Sequence, residues 1–134
     1  MLSRSWLAAA AMAALIGAAH AEDYRVGELN AGPGGAFVFD PAIVRLAVGD
    51  TVTFVAVDQF HQVTTVIGGI PAGAEPFRSE RNMDYTQAFT VPGIYVYECT
   101  SHRSLGMVGI VNRWRRCVEP RRAPRSRPRC PAGQ

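Results

Sequence analysis

Four side chains in this sequence carry the donor atoms of a redox metal site: His61, Cys99, His102 and Met107. Cys99 and His102 are three residues apart, and Met107 follows five residues later. Thiolate and thioether sulfur suit Cu(I), whereas imidazole nitrogen is also a good ligand for Cu(II). The pattern therefore predicts one copper ion, cycling between Cu(I) and Cu(II), that these four residues hold and that moves single electrons.

Three other uses of these residues remain open from the sequence alone. Cys99 could be a buried structural thiol, because free cysteine is among the most buried residue types. A zinc site could use the same cysteine and histidines, although thioether sulfur is not a usual zinc ligand. Cys99 and His102 as nucleophile and base would need a third, orienting residue, and none is evident, so we expect no enzyme.

The elements that must position these residues are short strands separated by turns. Thr51–Val57 is rich in β-branched residues and follows the turn residues Gly49 and Asp50. The predicted strands are Tyr24–Leu29, Ala36–Phe39, Ile43–Val48, Thr51–Val57, Gln62–Ile67, Gln87–Val91, Ile94–Cys99 and Met107–Val111. Strands this short and this dense are typical of an all-β sandwich or barrel. A short helical turn is expected only within Ala72–Asn82.

Both ends of the chain differ from this β-rich part. Arg4 precedes the apolar run Leu7–Ala19, which is too short to cross a membrane comfortably. Met1–Ala21 therefore has the features of a cleaved secretory signal. Arg113–Gln134 has eight arginines and four prolines in 22 residues, a composition that predicts a disordered basic tail. The folded copper-binding domain is expected to span residues 22–112.

The net charge of +3 conceals an uneven distribution. Residues 22–112 contain ten acidic residues and five arginines, whereas the tail contains eight arginines and one glutamate. The basic total thus describes the tail, so we expect no nucleic-acid partner and no stable membrane insertion. In an exported protein, the tail cysteines Cys117 and Cys130 could pair as a disulfide.

Six stretches of the β-rich part carry a family resemblance. They are GAFVFDP at 35–41, VGDTVTF at 48–54, HQVTT at 61–65, IPAGAE at 70–75, FTVPGIYVYECTSH at 89–102 and GMVGIV at 106–111. Residues 26–112 resemble the pseudoazurins, blue-copper proteins of the cupredoxin superfamily, whose metal-bearing residues fall on the four named above. The resemblance implies a Greek-key β-sandwich that carries electrons in the periplasm, often to nitrite reductases. We expect a monomer that meets its redox partner transiently.

The sequence also departs from that family. Gln62 stands where the family commonly has an asparagine that bridges the two ligand loops, which predicts a shifted reduction potential. The segment from Cys99 to Met107, which carries three of the four predicted ligands, is called the ligand loop below. In it, Ser101 replaces a proline and Arg103 replaces an aromatic residue. Arg103 and Arg78 are expected to supply the charge that steers a partner. The family ends in two helices, whereas this chain ends in the basic tail.

Two functional alternatives follow from these departures: a copper-delivery protein, and a copper-free structural sandwich that has lost its C-terminal cover. In the electron-carrier interpretation, His102 is the expected exit for the electron, because a ligand in a loop brings the metal near the surface. An apolar collar of Phe37, Pro71 and Leu105 is expected around it.

Overall fold

The protein folds as two four-stranded β-sheets packed face to face. The computed structural model describes residues 21–114. The predicted signal peptide up to residue 20, the tail beyond Trp114 and the Cys117–Cys130 pairing lie outside the described residues. The strands are β1 Asp23–Gly32, β2 Gly35–Asp40, β3 Ile43–Leu46, β4 Thr51–Val55, β5 Val63–Thr65, β6 Tyr85–Ala88, β7 Gly93–Cys99 and β8 Val108–Arg113.

The strand order places the segments that carry the predicted ligands side by side: β5, which follows His61, pairs with β7, which ends at Cys99. One sheet has the order β2-β1-β4-β6 and the other β3-β8-β7-β5. The β1–β4 and β3–β8 pairs are parallel, and the remaining neighbours are antiparallel. The expected all-β sandwich is confirmed. Arg113, assigned from the sequence to the tail, is the last residue of β8 and is buried.

The helical turn expected within Ala72–Asn82 is wrong. Residues 72–73 form a tight turn, in which the Ala74 N–H donates to the Pro71 carbonyl at 3.1 Å, and residues 77–79 run beside β5. There the Thr65 N–H donates to the Phe77 carbonyl, and the Ser79 N–H donates to the Val63 carbonyl. Backbone groups engaged in these strand-like bonds are not available to close a helical turn. The helical element between residues 21 and 114 is a short 3₁₀ helix at Arg103–Leu105, and no helix in that range is long and apolar enough to cross a membrane.

The core forms because alternate residues of each strand face the space between the sheets. In β4, Val52 and Phe54 are fully buried, whereas their neighbours are only partly so. The Tyr97 ring packs edge-on against Phe39 and Phe54, with ring centroids 4.8 and 4.9 Å apart. Tyr97 lies two residues before Cys99 on β7, so these packed rings give the predicted ligand loop a rigid base.

Candidate metal centre

His61 is delivered to the interior by a sharp turn just before β5. Phe60 adopts a left-handed backbone conformation with φ of 72°, which is uncommon for a bulky residue. Asn82 fixes this turn: its side-chain oxygen accepts from the Phe60 N–H, and its own N–H donates to the His61 carbonyl at 3.0 Å. The imidazole of His61 is consequently fully buried.

The other three predicted ligands come from the loop between β7 and β8. The His102 N–H donates to the Cys99 carbonyl at 3.2 Å, and the 3₁₀ helix follows. Gly106 then takes a left-handed conformation with φ of 85°, which a glycine adopts without steric penalty. The Cys99 N–H donates to the Met107 carbonyl at 3.0 Å and closes the loop. Cys99 and Met107 are both fully buried.

The side chains of His61, Cys99 and His102 converge although they come from distant parts of the sequence. Their ligand atoms all lie within 4.8 Å of one another. Cys99 Sγ is 3.7 Å from His61 Nδ1 and 3.5 Å from His102 Nδ1. A thiol and two imidazole nitrogens at this spacing can bind one metal ion, and with the buried thioether of Met107 they form a donor set suited to copper.

A hydrogen bond to Asn30 selects the nitrogen of His61 that faces the cluster. His61 Nε2 lies 3.0 Å from Asn30 Oδ1, an acceptor, so the proton of the neutral ring resides on Nε2. The lone pair of Nδ1 is then directed toward Cys99. Burial, and next the nearby His102, lower the pKa of His61 below its ordinary value, against the weaker opposite influence of Asp58. A neutral imidazole is the form that binds a metal.

His102 marks the exposed side of the cluster. Its ring is only partly buried and stacks on the ring of Phe37, with centroids 4.3 Å apart and planes 18° apart. Phe37 has a left-handed backbone (φ of 52°), one of the uncommon conformations that recur at functional sites. Leu105 is 61% exposed on the same loop. Phe37 and Leu105 thus occupy the positions expected for the collar.

Pro71 was wrongly assigned to that collar. It packs against Gly93, where even a Cβ atom would collide with the proline ring. Gly93 begins β7 and Cys99 ends it, so Pro71 lies roughly 20 Å from the ligand loop at about 3.3 Å per residue. Pro71 and Gly93 instead lie together at the opposite end of β7 from Cys99.

The side chains that hold His61 in place were not predicted from the sequence. Asn30 and Asn82 both bond to the histidine or to its turn, from positions 31 residues before it and 21 residues after it in the chain. Asn30 gave one weak signal in the sequence: asparagine is depleted in strands, and this one directly follows the predicted strand Tyr24–Leu29. Each residue reaches the site only through the folding of distant segments onto one another: Asn30 lies in β1, and Asn82 lies in the turn before β6.

Comparison with known proteins gives a consistent result. Residues 27–112 match the family described as copper binding proteins, plastocyanin/azurin family. A pseudoazurin from Paracoccus pantotrophus is 44% identical over 104 residues, covering 78% of this chain and 72% of that protein. The solved structure of a Sinorhizobium pseudoazurin shares 41% identity with this chain at a TM-score of 0.67, covering 69% of this chain and 73% of that one. A Cu-containing nitrite reductase from Thermus scotoductus matches at 28% identity and a TM-score of 0.54, over 69% of this chain and 22% of its own.

Proposed function

Because the chain belongs to the plastocyanin/azurin family of copper-binding proteins, and within it to the pseudoazurins, we propose that His61, Cys99, His102 and Met107 hold its copper ion. The protein is a blue-copper electron carrier. The observation that supports this ligand set most directly is the convergence of two imidazoles and one thiol within 4.8 Å. Met107 is fully buried and its carbonyl accepts from the Cys99 N–H at 3.0 Å.

The bound copper supplies a centre that gains and loses one electron. Neighbouring residues restrict the movement of the proposed ligands. Asn30 fixes the ring of His61, and backbone hydrogen bonds fix the loop from Cys99 to Met107. A site whose ligands are already held in place needs little rearrangement when the charge changes, which favours fast transfer. Burial of His61, Cys99 and Met107 also keeps water from the ligands.

We propose that electrons enter and leave through His102. Its ring is the least buried of the proposed ligands, and the stacked ring of Phe37 and the exposed side chain of Leu105 lie beside it. A small apolar surface of this kind supports brief, weak encounters rather than a permanent complex. Such encounters suit a monomeric carrier that must release each partner quickly.

The proposed location is the periplasm, and the proposed partner is a nitrite reductase. The apolar start of the sequence supports the location, and the resemblance to pseudoazurins supports both. Mixing the reduced, copper-loaded protein with an oxidised copper nitrite reductase in a stopped-flow instrument tests the partner. Rapid reoxidation of the carrier is expected. Reoxidation no faster than in buffer would exclude that partner.

The same instrument separates an electron carrier from a copper-delivery protein. Delivery requires ligands that exchange readily, whereas Cys99 and Met107 are fully buried in a loop closed by its own hydrogen bonds. We therefore expect electron exchange to be much faster than loss of copper to a competing chelator. Copper loss as fast as electron exchange would support delivery instead.

A further inference from the structure

Gln62, which directly follows the proposed ligand His61, is bound to a segment outside the metal loop. Its side chain is 7% exposed, and its Nε2 donates to the Ser79 carbonyl at 2.7 Å. Its Oε1 accepts from Nη2 of Arg78 at 3.0 Å. Both ends of the amide are therefore occupied by residues 78–79, and the bond from the guanidinium is charge-assisted.

Residues 78–79 in turn hold the strand that His61 precedes. Ser79 Oγ accepts from the Val63 N–H at 3.1 Å, and the Ser79 N–H donates to the Val63 carbonyl at 2.9 Å. Arg78 also forms a β-bridge with Thr64. The Gln62 side chain thus completes a set of hydrogen bonds that attaches the start of β5 to this segment.

The ligand loop lacks a matching side-chain bond to the same strand. The Thr100 N–H donates to the Gln62 carbonyl at 3.0 Å, so Thr100 lies directly beside Gln62. The Thr100 hydroxyl is nevertheless shielded from solvent and has no hydrogen-bond partner within the described part of the chain. A buried hydroxyl without a partner is unfavourable, and Gln62 is the neighbouring side chain that could bond to it if its amide were free.

We propose that Arg78 is a positioning residue for the metal centre, which it reaches through the Gln62 amide. By holding Gln62 against residues 78–79, Arg78 fixes the strand next to His61 and keeps the amide away from Thr100. The hydrogen bond that joins Thr100 to Gln62 is then the one between their backbones, from the Thr100 N–H to the Gln62 carbonyl. This inference rests on the proposed copper site, but the contact itself exists without any metal.

The first test uses metal-free protein. In Arg78→Gln, the Gln62 side-chain amide should exchange its hydrogens with solvent faster than in the parent, by about tenfold for the loss of one charged hydrogen bond. Nuclear magnetic resonance of the side-chain amide measures this rate. Arg81→Gln, which removes another exposed arginine three residues away, is the matched control and should leave the rate unchanged. Equal rates in all three proteins would overturn the inference, whether or not copper binds.

The second test uses the copper-loaded protein and asks whether Arg78 acts through Gln62. Arg78→Gln should release copper to a chelator about tenfold faster, within the range seen when groups supporting metal ligands are lost. In the Gln62→Met background the same change should have almost no further effect, because the amide it acts on is gone. Arg78→Lys should restore part of the parent rate. Equal acceleration in both backgrounds would show that Arg78 acts through charge alone and would overturn the proposal.

Discussion

Replacing Glu28 by methionine should stabilise the folded protein at neutral and alkaline pH. Glu28 lies in β1 with its side chain 1% exposed, and neither carboxylate oxygen has a hydrogen-bond partner among residues 21–114. Burial, and next the repulsion from Asp84, raise the pKa of Glu28 to about 7. Methionine has a similar length and places no charge in the core, so it removes the penalty with little change in volume.

The magnitude follows from the difference between the pKa of Glu28 in the folded chain, about 7, and its ordinary value of 4.5. At about 1.4 kcal/mol for each pKa unit, ionising Glu28 lowers the free energy of unfolding by about 3 kcal/mol. Because the pKa is raised on folding, the parent protein loses this stability as the pH rises from 4.5 to about 7. Above that range the loss is complete and constant.

Urea unfolding of the metal-free parent and Glu28→Met proteins measures the effect. The difference in unfolding free energy should grow by about 3 kcal/mol between about pH 4.5 and about pH 8, and then level off. Glu75→Gln, a change at an exposed glutamate, should leave the pH dependence of the parent intact. A Glu28→Met difference that does not vary with pH would refute the assignment of a buried, ionisable carboxyl to the core.

Two further substitutions test the support of the site. Asn30→Ala removes the acceptor for His61 Nε2, so copper affinity should fall roughly 10–100-fold in a chelator competition, the usual effect of losing a partner of a metal-bound histidine; an unchanged affinity would show that the ring does not need Asn30. Gly109→Ala should destabilise the protein by about 1–3 kcal/mol, because the added Cβ would overlap the Tyr97 ring. Urea unfolding measures this second change, and a variant as stable as the parent would mean that the ring can move aside.

The proposed ligand set could be read from the sequence because three of its members lie close together in the chain. The spacing of Cys99, His102 and Met107 places them on one loop between two strands, so local pattern and chemistry were sufficient. The existence of the eight strands between residues 21 and 114 was predictable for the same reason, since alternation of apolar and polar residues is a local property. Their bounds were less so, because the sixth strand runs over Tyr85–Ala88 and not over the predicted Gln87–Val91. His61 was predicted with them, and the structure brings its ring to the cluster.

The side chains that hold the ligands could not be predicted, because their positions depend on how distant segments pair. Asn30 reaches His61 only through the position of β1, and Arg78 reaches Gln62 only because residues 77–79 run beside β5. The interval around Arg78 contains proline, glycine and charged residues without a strand pattern, so a helical turn was predicted where strand-like bonds exist. Glu28 illustrates a related limit, because alternation puts it on the same face as Val26 but does not show that its carboxyl stays buried without a hydrogen-bond partner among residues 21–114.

The central claim is that His61, Cys99, His102 and Met107 hold one redox-active copper ion, and titration of the purified protein with Cu(II) tests it most directly. One equivalent of copper should produce an intense visible absorption from charge transfer between the Cys99 thiolate and Cu(II), and reduction should remove it. The Cys99→Ser variant should lack this absorption band in the presence of Cu(II). A parent protein that stays colourless with Cu(II), or a Cys99→Ser variant that keeps the band, would contradict the account.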